Sequence, residues 1–384
     1  MSEFEGEMIK DLVKRFVDEE LMPLEPEILK REIAGERLAL SPDEESVLLD
    51  KCKELGLWGL DAPEALGGVS LSTVTWMGVN EELGRTVTPF VFPPDSPNMH
   101  MLLATVNEEQ REKYLEPYVA GTKKSAIAIS EPGAGGDPSG MTTKAVKDGN
   151  EWVLNGRKIW ISKVATADFT IVMARVGETS RHEGITAFIV EKGTPGFEVT
   201  REIPMMAGHR TYEVALENCR VPAENLLGTV GAGFAPMQLR LVTRRLQIGA
   251  WCLGMCRRAL DMMTVYANQR KTFGALLADR QAIQWWVADA AIKMYACRSM
   301  LMDAASKQDA GQDVRVEASM IKVFATELAT EVIDHAMQTF GAMGVTKELP
   351  LHLMAQKVRV MRVYEGPSEV HRMSIARKIF KSIK

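Results

Sequence analysis

The sequence predicts a mainly α-helical protein with a β domain in its middle. Three observations carry that expectation. Apolar residues recur at three- and four-residue spacing up to about residue 122. Short β-prone runs broken by turns fill 123–230. Long segments almost free of proline and glycine follow from 231 to 384. The chain therefore reads as an N-terminal helical domain (1–122), a middle antiparallel β-barrel or sandwich (123–230) and a C-terminal helical bundle (231–384).

In the first block Met8, Ile9, Leu12, Val13 and Phe16 share one helical face, and 44–55, 71–85 and 107–119 repeat the pattern. Gly67-Gly68 and the prolines at 89, 93, 94 and 97 mark two irregular connections. The β-prone runs of the second block are Trp152–Leu154, Lys158–Ser162, Phe169–Arg175, Ile185–Glu191 and Tyr212–Leu216. Asn155-Gly156 is a two-residue hairpin signal, and Asp148-Gly149-Asn150 and Gly193–Gly196 are further turns. In the third block helices are expected over 232–268, 280–309, 313–342 and 367–384.

With 384 residues and 46% hydrophobic composition, the chain can bury two or three packed modules. A net charge of -5 argues against a nucleic-acid partner. The acidic, amphipathic N-terminus is neither a secretory signal nor an Arg-rich transit peptide, and no run approaches the ~18 apolar residues of a membrane span. A cytoplasmic protein with no membrane partner is expected. Cys52, Cys219, Cys252, Cys256 and Cys297 read as buried reduced thiols. Cys252 and Cys256 lie one turn apart, but no further His or Cys completes a metal set. The 23 methionines suit helical core packing or a pliable binding surface.

Four segments carry chemistry. Tyr364-Glu365-Gly366-Pro367-Ser368-Glu369 puts a carboxylate at a Gly-Pro break where a helix restarts. Glu365 there either faces a pocket or simply complements a helix dipole. The glycine-rich loop Ser130–Asp137 follows the apolar run Ala126–Ile129. Its N–H groups would close on a phosphate or a flat ring, or it is a long turn. Gly133 and Gly135 have dinucleotide spacing, but Pro138 and the lack of a βαβ unit exclude that fingerprint. Lys158–Ser162 places Trp160 and Ser162 on one face, a flat wall with a hydroxyl or a half-buried strand. Arg270–Gly274 ends one long helix, where the Arg would cap a dipole or grip a pyrophosphate, and Gln338–Gly344 ends another, where Gly would be a C-cap.

Together with Glu81–Arg85, Val221–Gly228 and Ile375-Ala376-Arg377, these segments resemble the acyl-CoA dehydrogenases in type, order and spacing. The resemblance implies a four-helix bundle as the third domain and FAD as cofactor. Ile129, Ser130, Gly135, Gly136, Trp160 and Ser162 would border the flavin. Arg270, Phe273, Gln338 and Ala342 would reach the pyrophosphate and adenosine half from a neighbouring subunit, with Pro367 and Glu369 at the adenine end. The implied assembly is a homo-oligomer, dimer or tetramer. Glu365 matches the family's base, a carboxylate that desolvation makes more basic. It would remove the α-proton of an acyl-CoA. Hydride passes to flavin, a trans-2-enoyl-CoA forms, and electrons leave to an electron-transfer flavoprotein. Gly136, Arg244, Arg245, Tyr364 and Gly366 are the implied substrate contacts.

Some members carry the base at the position of Arg244, and an arginine cannot act as base near neutral pH. Arg244 would then face a polar substituent of the acyl portion, a loop or the CoA phosphates. Gly136, Pro367 and Ala342 replace the usual Ser, Thr and Gly. Tyr364–His371 with Pro94–Met99 is similar to a long-chain and 4-hydroxyacyl branch, often with Asp as base. The alternatives are an acyl-CoA oxidase, another flavin enzyme on this fold, or a DNA-binding relative. The last draws on Lys357, Arg359, Arg362, Arg372, Arg377, Lys378, Lys381 and Lys384.

Overall fold

Helix caps and a shared apolar face organise the first block. The computed structural model describes residues 3–382, so Lys384 lies outside the described residues. The block contains α1 (Glu3–Phe16), α2 (Glu25–Ala34), α3 (Pro42–Glu54), α4 (Thr73–Leu83), α5 (Ser96–Leu103), α6 (Glu108–Gln110) and α7 (Glu116–Val119). Ser41 and Glu44 form a reciprocal cap on α3, and Asn107 and Gln110 do so on α6. α5 corrects the expectation of an irregular connection. Pro97 falls in its first turn, where a missing N–H costs nothing.

The β block is one eight-stranded sheet, ordered β6-β7-β3-β2-β4-β5-β8 with β1 beside β4. Its strands are β1 (Ser125–Ala128), β2 (Lys144–Asp148), β3 (Glu151–Ile161), β4 (Phe169–Val176), β5 (Ile185–Glu191), β6 (Phe197–Pro204), β7 (Arg210–Pro222) and β8 (Leu226–Leu227). Most pairings are antiparallel, but β1 and β2 both run parallel to β4. Asn155-Gly156 is not a hairpin. β3 runs through it, and its pairing with β7 shifts register between Leu154 and Gly156. A Cβ on Gly156 would lie 2.4 Å from Thr143 Oγ1, so the glycine serves a close strand crossing at a bulge. The chain reverses instead at Gly149, between β2 and β3. One sheet face buries Trp152, Leu154, Phe188 and Val214. The other buries Phe169, Ile171 and Met173 against Met99, Tyr114 and Tyr118 of the first block.

The last block holds α8 (Phe234–Ala267), α9 (Gln281–Asp309), α10 (Arg315–Phe340), α11 (Leu351–Met361) and α12 (Ser368–Ser382). Leu246, Leu253, Leu301, Ile321 and Val332 join Val13, Phe16, Trp76 and Met77 in one core, so the two helical blocks are packed as a unit. α11 lies outside the expected helices. Arg270–Gly274 does not end a helix either: it forms a hairpin of β9 (Lys271–Thr272) and β10 (Ala275–Leu276). Phe273 and Gly274 both have positive φ there, 49° and 78°, as a two-residue hairpin loop of this twist requires. All five cysteines are free and buried. No helix among the described residues is long and apolar enough to cross a membrane.

Candidate active site

The α11–α12 connection holds Glu365 at φ 56° and Gly366 at φ 97°. A left-handed glutamate is uncommon and persists where its surroundings enforce it. Here three buried or half-buried donors do so. Arg245 Nε (3.1 Å) and His371 Nε2 (3.2 Å) donate to the Glu365 carbonyl, and Lys322 Nζ donates to that of Gly366. Burial pushes His371 down to about 3, so the ring is neutral and its Nε2 carries the proton. Burial and then Arg245 bring Lys322 down to about 8. The Glu365 N–H meets no protein acceptor among the described residues.

The carboxylate is mostly buried, and it is paired. Arg240 Nη1 donates to both oxygens, at 3.0 and 3.1 Å, while Arg240 Nε donates to Asn98 Oδ1 at 3.0 Å. One turn further along α8, Arg244 is buried against Trp251, 5.2 Å from the ring centre, and donates to Asp95. Lys163 reaches the same Asp95 at 2.6 Å. Burial would raise the Asp95 carboxyl, yet Arg244 and Lys163 outweigh it and hold it well below the usual range. Arg244 thus faces a carboxylate of its own chain. Tyr364 stacks on His209, centroids 6.2 Å apart and planes 9° apart, and burial raises the phenol and lowers the imidazole.

The glycine-rich loop meets this turn. A Cβ on Gly136 would lie 3.3 Å from Val370 and 3.7 Å from Pro367, which caps α12 by accepting from His371 N. The loop is anchored from below: Lys158, fully buried, donates to Ile129 O (3.0 Å) and Glu131 (2.8 Å). Glu131 also accepts from Thr142 and Thr143, and Ser130 O accepts from Ile159 N. Beyond this anchor Trp160 sits at φ 63° where β3 and β7 slip register, 49% exposed, with Ser162 exposed beside it. An aromatic held left-handed with half its surface open has the shape of a stacking surface.

The other expected contacts lie elsewhere. Arg240 is near the start of α8, and α8 ends at Ala267, about 40 Å further along its axis. Tyr266 stacks on Phe340 at 4.3 Å at that far end, which gathers the exposed Arg270, Phe273, Gln338 and Ala342 there. Within one chain the structure does not bring these four to Glu365. Glu369 is exposed on the first turn of α12. Sequence reasoning gave no role to Arg240, Lys322, His371, Asp95, Asn98, Glu131 or Lys158. One signal was available: Arg240, Arg244 and Arg245 fall at i, i+4 and i+5, on one side of a helix.

Comparison with known proteins identifies the family. The acyl-CoA dehydrogenase N-terminal, middle and C-terminal domain families match residues 3–122, 126–219 and 231–380. The chain belongs to the acyl-CoA dehydrogenase family. These are flavin-dependent oxidoreductases acting on CH–CH bonds, and FAD is the cofactor; the open Trp160 face and the glycine loop fit a flavin. The chain is 41% identical to (R)-benzylsuccinyl-CoA dehydrogenase of Thauera aromatica, over 98% of this chain and 95% of that protein. It is 35% identical to the caffeyl-CoA reductase–Etf complex subunit CarC of Acetobacterium woodii, over 98% of each. The solved butyryl-CoA dehydrogenase of Megasphaera elsdenii superimposes with a TM-score of 0.88 at 30% identity, over 99% of both chains.

Proposed function

We propose that this acyl-CoA dehydrogenase family member oxidises an acyl-CoA thioester to its trans-2-enoyl-CoA, with Glu365 as the base. One observation carries the assignment. Glu365 combines a mostly buried carboxylate with a backbone N–H unengaged among the described residues, on a turn locked by Arg245, His371 and Lys322. A thioester laid against that turn would place its carbonyl oxygen on the N–H and its α-carbon before the carboxylate. The N–H then stabilises the enolate that forms as the proton leaves. FAD, when bound, supplies the acceptor for the β-hydrogen as hydride. Trp160 and Ser162 would hold its ring by stacking and hydrogen bonding, and the glycine loop at Gly136 would border it next to Pro367.

Electrons would pass to an electron-transfer flavoprotein, as the Etf-complex relative suggests. The lean toward a long-chain or 4-hydroxyacyl branch gains no support from the relatives named above, whose thioesters are benzylsuccinyl, caffeyl and butyryl. A homo-oligomer accounts for the distal group. Phe273 is fully exposed, and the open side of α9 shows Trp285, Ile292 and Tyr295 to solvent, apolar surface suited to a second subunit. That subunit would bring Arg270, Phe273, Gln338 and Ala342 to its neighbour's flavin.

Anaerobic bleaching of the flavin band by a panel of acyl-CoAs tests the reading. Bleaching by the wild type that Glu365→Gln abolishes while retaining flavin supports it. A variant that reduces its flavin at the wild-type rate refutes the base.

A further inference from the structure

The surroundings of Glu365 hold more positive charge than the protein neutralises. Arg240, Arg244, Arg245, Lys163 and Lys322 converge there, against two carboxylates, Glu365 and Asp95. His209 and His371 do not alter the balance, since burial keeps both imidazoles neutral at pH 7. Glu369, four residues on, is exposed. Asp95 is fully committed to Arg244 and Lys163. The remaining pair, Arg240 and Glu365, poses a conflict. The oxygens that must take a proton are the ones accepting from Arg240 Nη1.

Releasing the base strands a guanidinium that is only 11% exposed. An unpaired cation in that setting is costly, and a neutral acyl group offers it nothing. Arg240 is also built to accept a replacement. Asn98 holds its Nε, Glu365 holds its Nη1, and its Nη2 engages no described protein group. A guanidinium so placed offers adjoining donors to an incoming carboxylate in two-point geometry.

Resting on the dehydrogenase reading above, we propose that the acyl group itself carries a carboxylate, which Arg240 takes in exchange for Glu365. The exchange conserves charge: one carboxylate arrives on Arg240 as another is freed to accept the α-proton. Arg240 lies within hydrogen-bond distance of the base, so the acid group must lie close to the carbons being oxidised. That points to thioesters of the succinyl or glutaryl type, with or without a further substituent, rather than a long chain with a remote acid. Arg240 then sets specificity, and it does so only for acidic acyl groups.

The test compares flavin-loaded wild type, Arg240→Met and Arg240→Lys against matched thioesters: glutaryl-CoA with valeryl-CoA, and succinyl-CoA with butyryl-CoA. Each pair shares the same CoA, so attraction to its phosphates cancels. Wild type should favour the acidic member at least tenfold in kcat/KM for flavin reduction. Arg240→Met should collapse that ratio at least tenfold, mainly through KM, and Arg240→Lys should restore part of it by keeping the charge without the fork. Bound-flavin absorbance and Tm monitor folding of each variant. Equal or better use of the neutral thioesters by wild type, with Glu365 still required, overturns the carboxylate while leaving the dehydrogenase reading intact. An unchanged ratio in Arg240→Met overturns the role of Arg240. Flavin that no thioester bleaches overturns both readings together.

Discussion

Two carboxylate–cation pairs of this molecule are alike on paper and opposite in design. Glu131–Lys158, under the glycine loop, is 3% and 0% exposed; Glu365–Arg240, at the α11–α12 turn, is 14% and 11% exposed. Glu131 accepts from Lys158, the Thr142 N–H and hydroxyl and the Thr143 N–H, so every direction around it is taken. Burial would raise its carboxyl, but the Lys158 charge and these donors hold it down at about 2. The Glu365 carboxylate has one side-chain partner among the described residues, and that partner itself keeps a donor in reserve. Full satisfaction makes a brace, whereas a single exchangeable partner leaves a group free to react.

Breaking the pairs in turn sharpens that contrast. The largest effect expected is on turnover: Glu365→Gln should lower kcat by about 10²–10⁴-fold, with a smaller fall in Tm because Arg240 loses its counter-charge, measured by single-turnover flavin reduction and thermal melts. The brace should respond in the opposite sense. Lys158→Met strands a buried Glu131 and should destabilise by about 3–5 kcal/mol, read from denaturant midpoints, with flavin retention falling as the loop loosens. Adding Glu131→Gln to Lys158→Met should recover much of that loss, because two neutral groups strand no charge.

A third effect is acid-dependent. His371 is neutral in the fold down to about pH 3, whereas an unfolded histidine titrates near 6.5. Between those values the unfolded chain binds the extra proton, so this contribution is complete above pH 6.5 and is lost as pH falls toward 3. His371→Gln should flatten the slope of stability against pH between 6.5 and 5, above the range where most carboxylates titrate. The smallest effect is at the distal end. Phe273→Ser should change the stability of a folded chain by no more than about 0.5 kcal/mol, yet weaken self-association on a sizing column.

The sequence made the order of the three blocks legible, because helical spacing in α1, α8, α9 and α10 persists over many turns. It failed where one dipeptide serves two geometries. Asn155-Gly156 has hairpin chemistry, but Gly156 is required by the approach of Thr143 from across the sheet, a tertiary fact. α11 was within reach: Leu351, Met354, Val358 and Met361 are buried at helical spacing. At the site, the Gly-Pro break located Glu365, but not what surrounds it. Arg240 looks like any helical arginine until α5 and the α11–α12 turn bring Asn98 and Glu365 to it. Lys158 reads as a polar interruption of a strand, since nothing local reveals that Glu131 lies beneath it.

The contact of Gly136 with Pro367 and Val370 joins parts of the chain some 230 residues apart. During synthesis at about 5–20 residues per second, the loop leaves the ribosome on the order of 10–50 s before its counterpart. The β block is completed part-way through that interval, when β8 emerges, but the wall that closes over its glycines has not yet been made. If the proposed site holds the flavin, cofactor capture is a late event in the life of the molecule, set by the arrival of the α11–α12 turn. A chain interrupted before that turn would lack both this wall and part of the core its first block shares, and should be colourless.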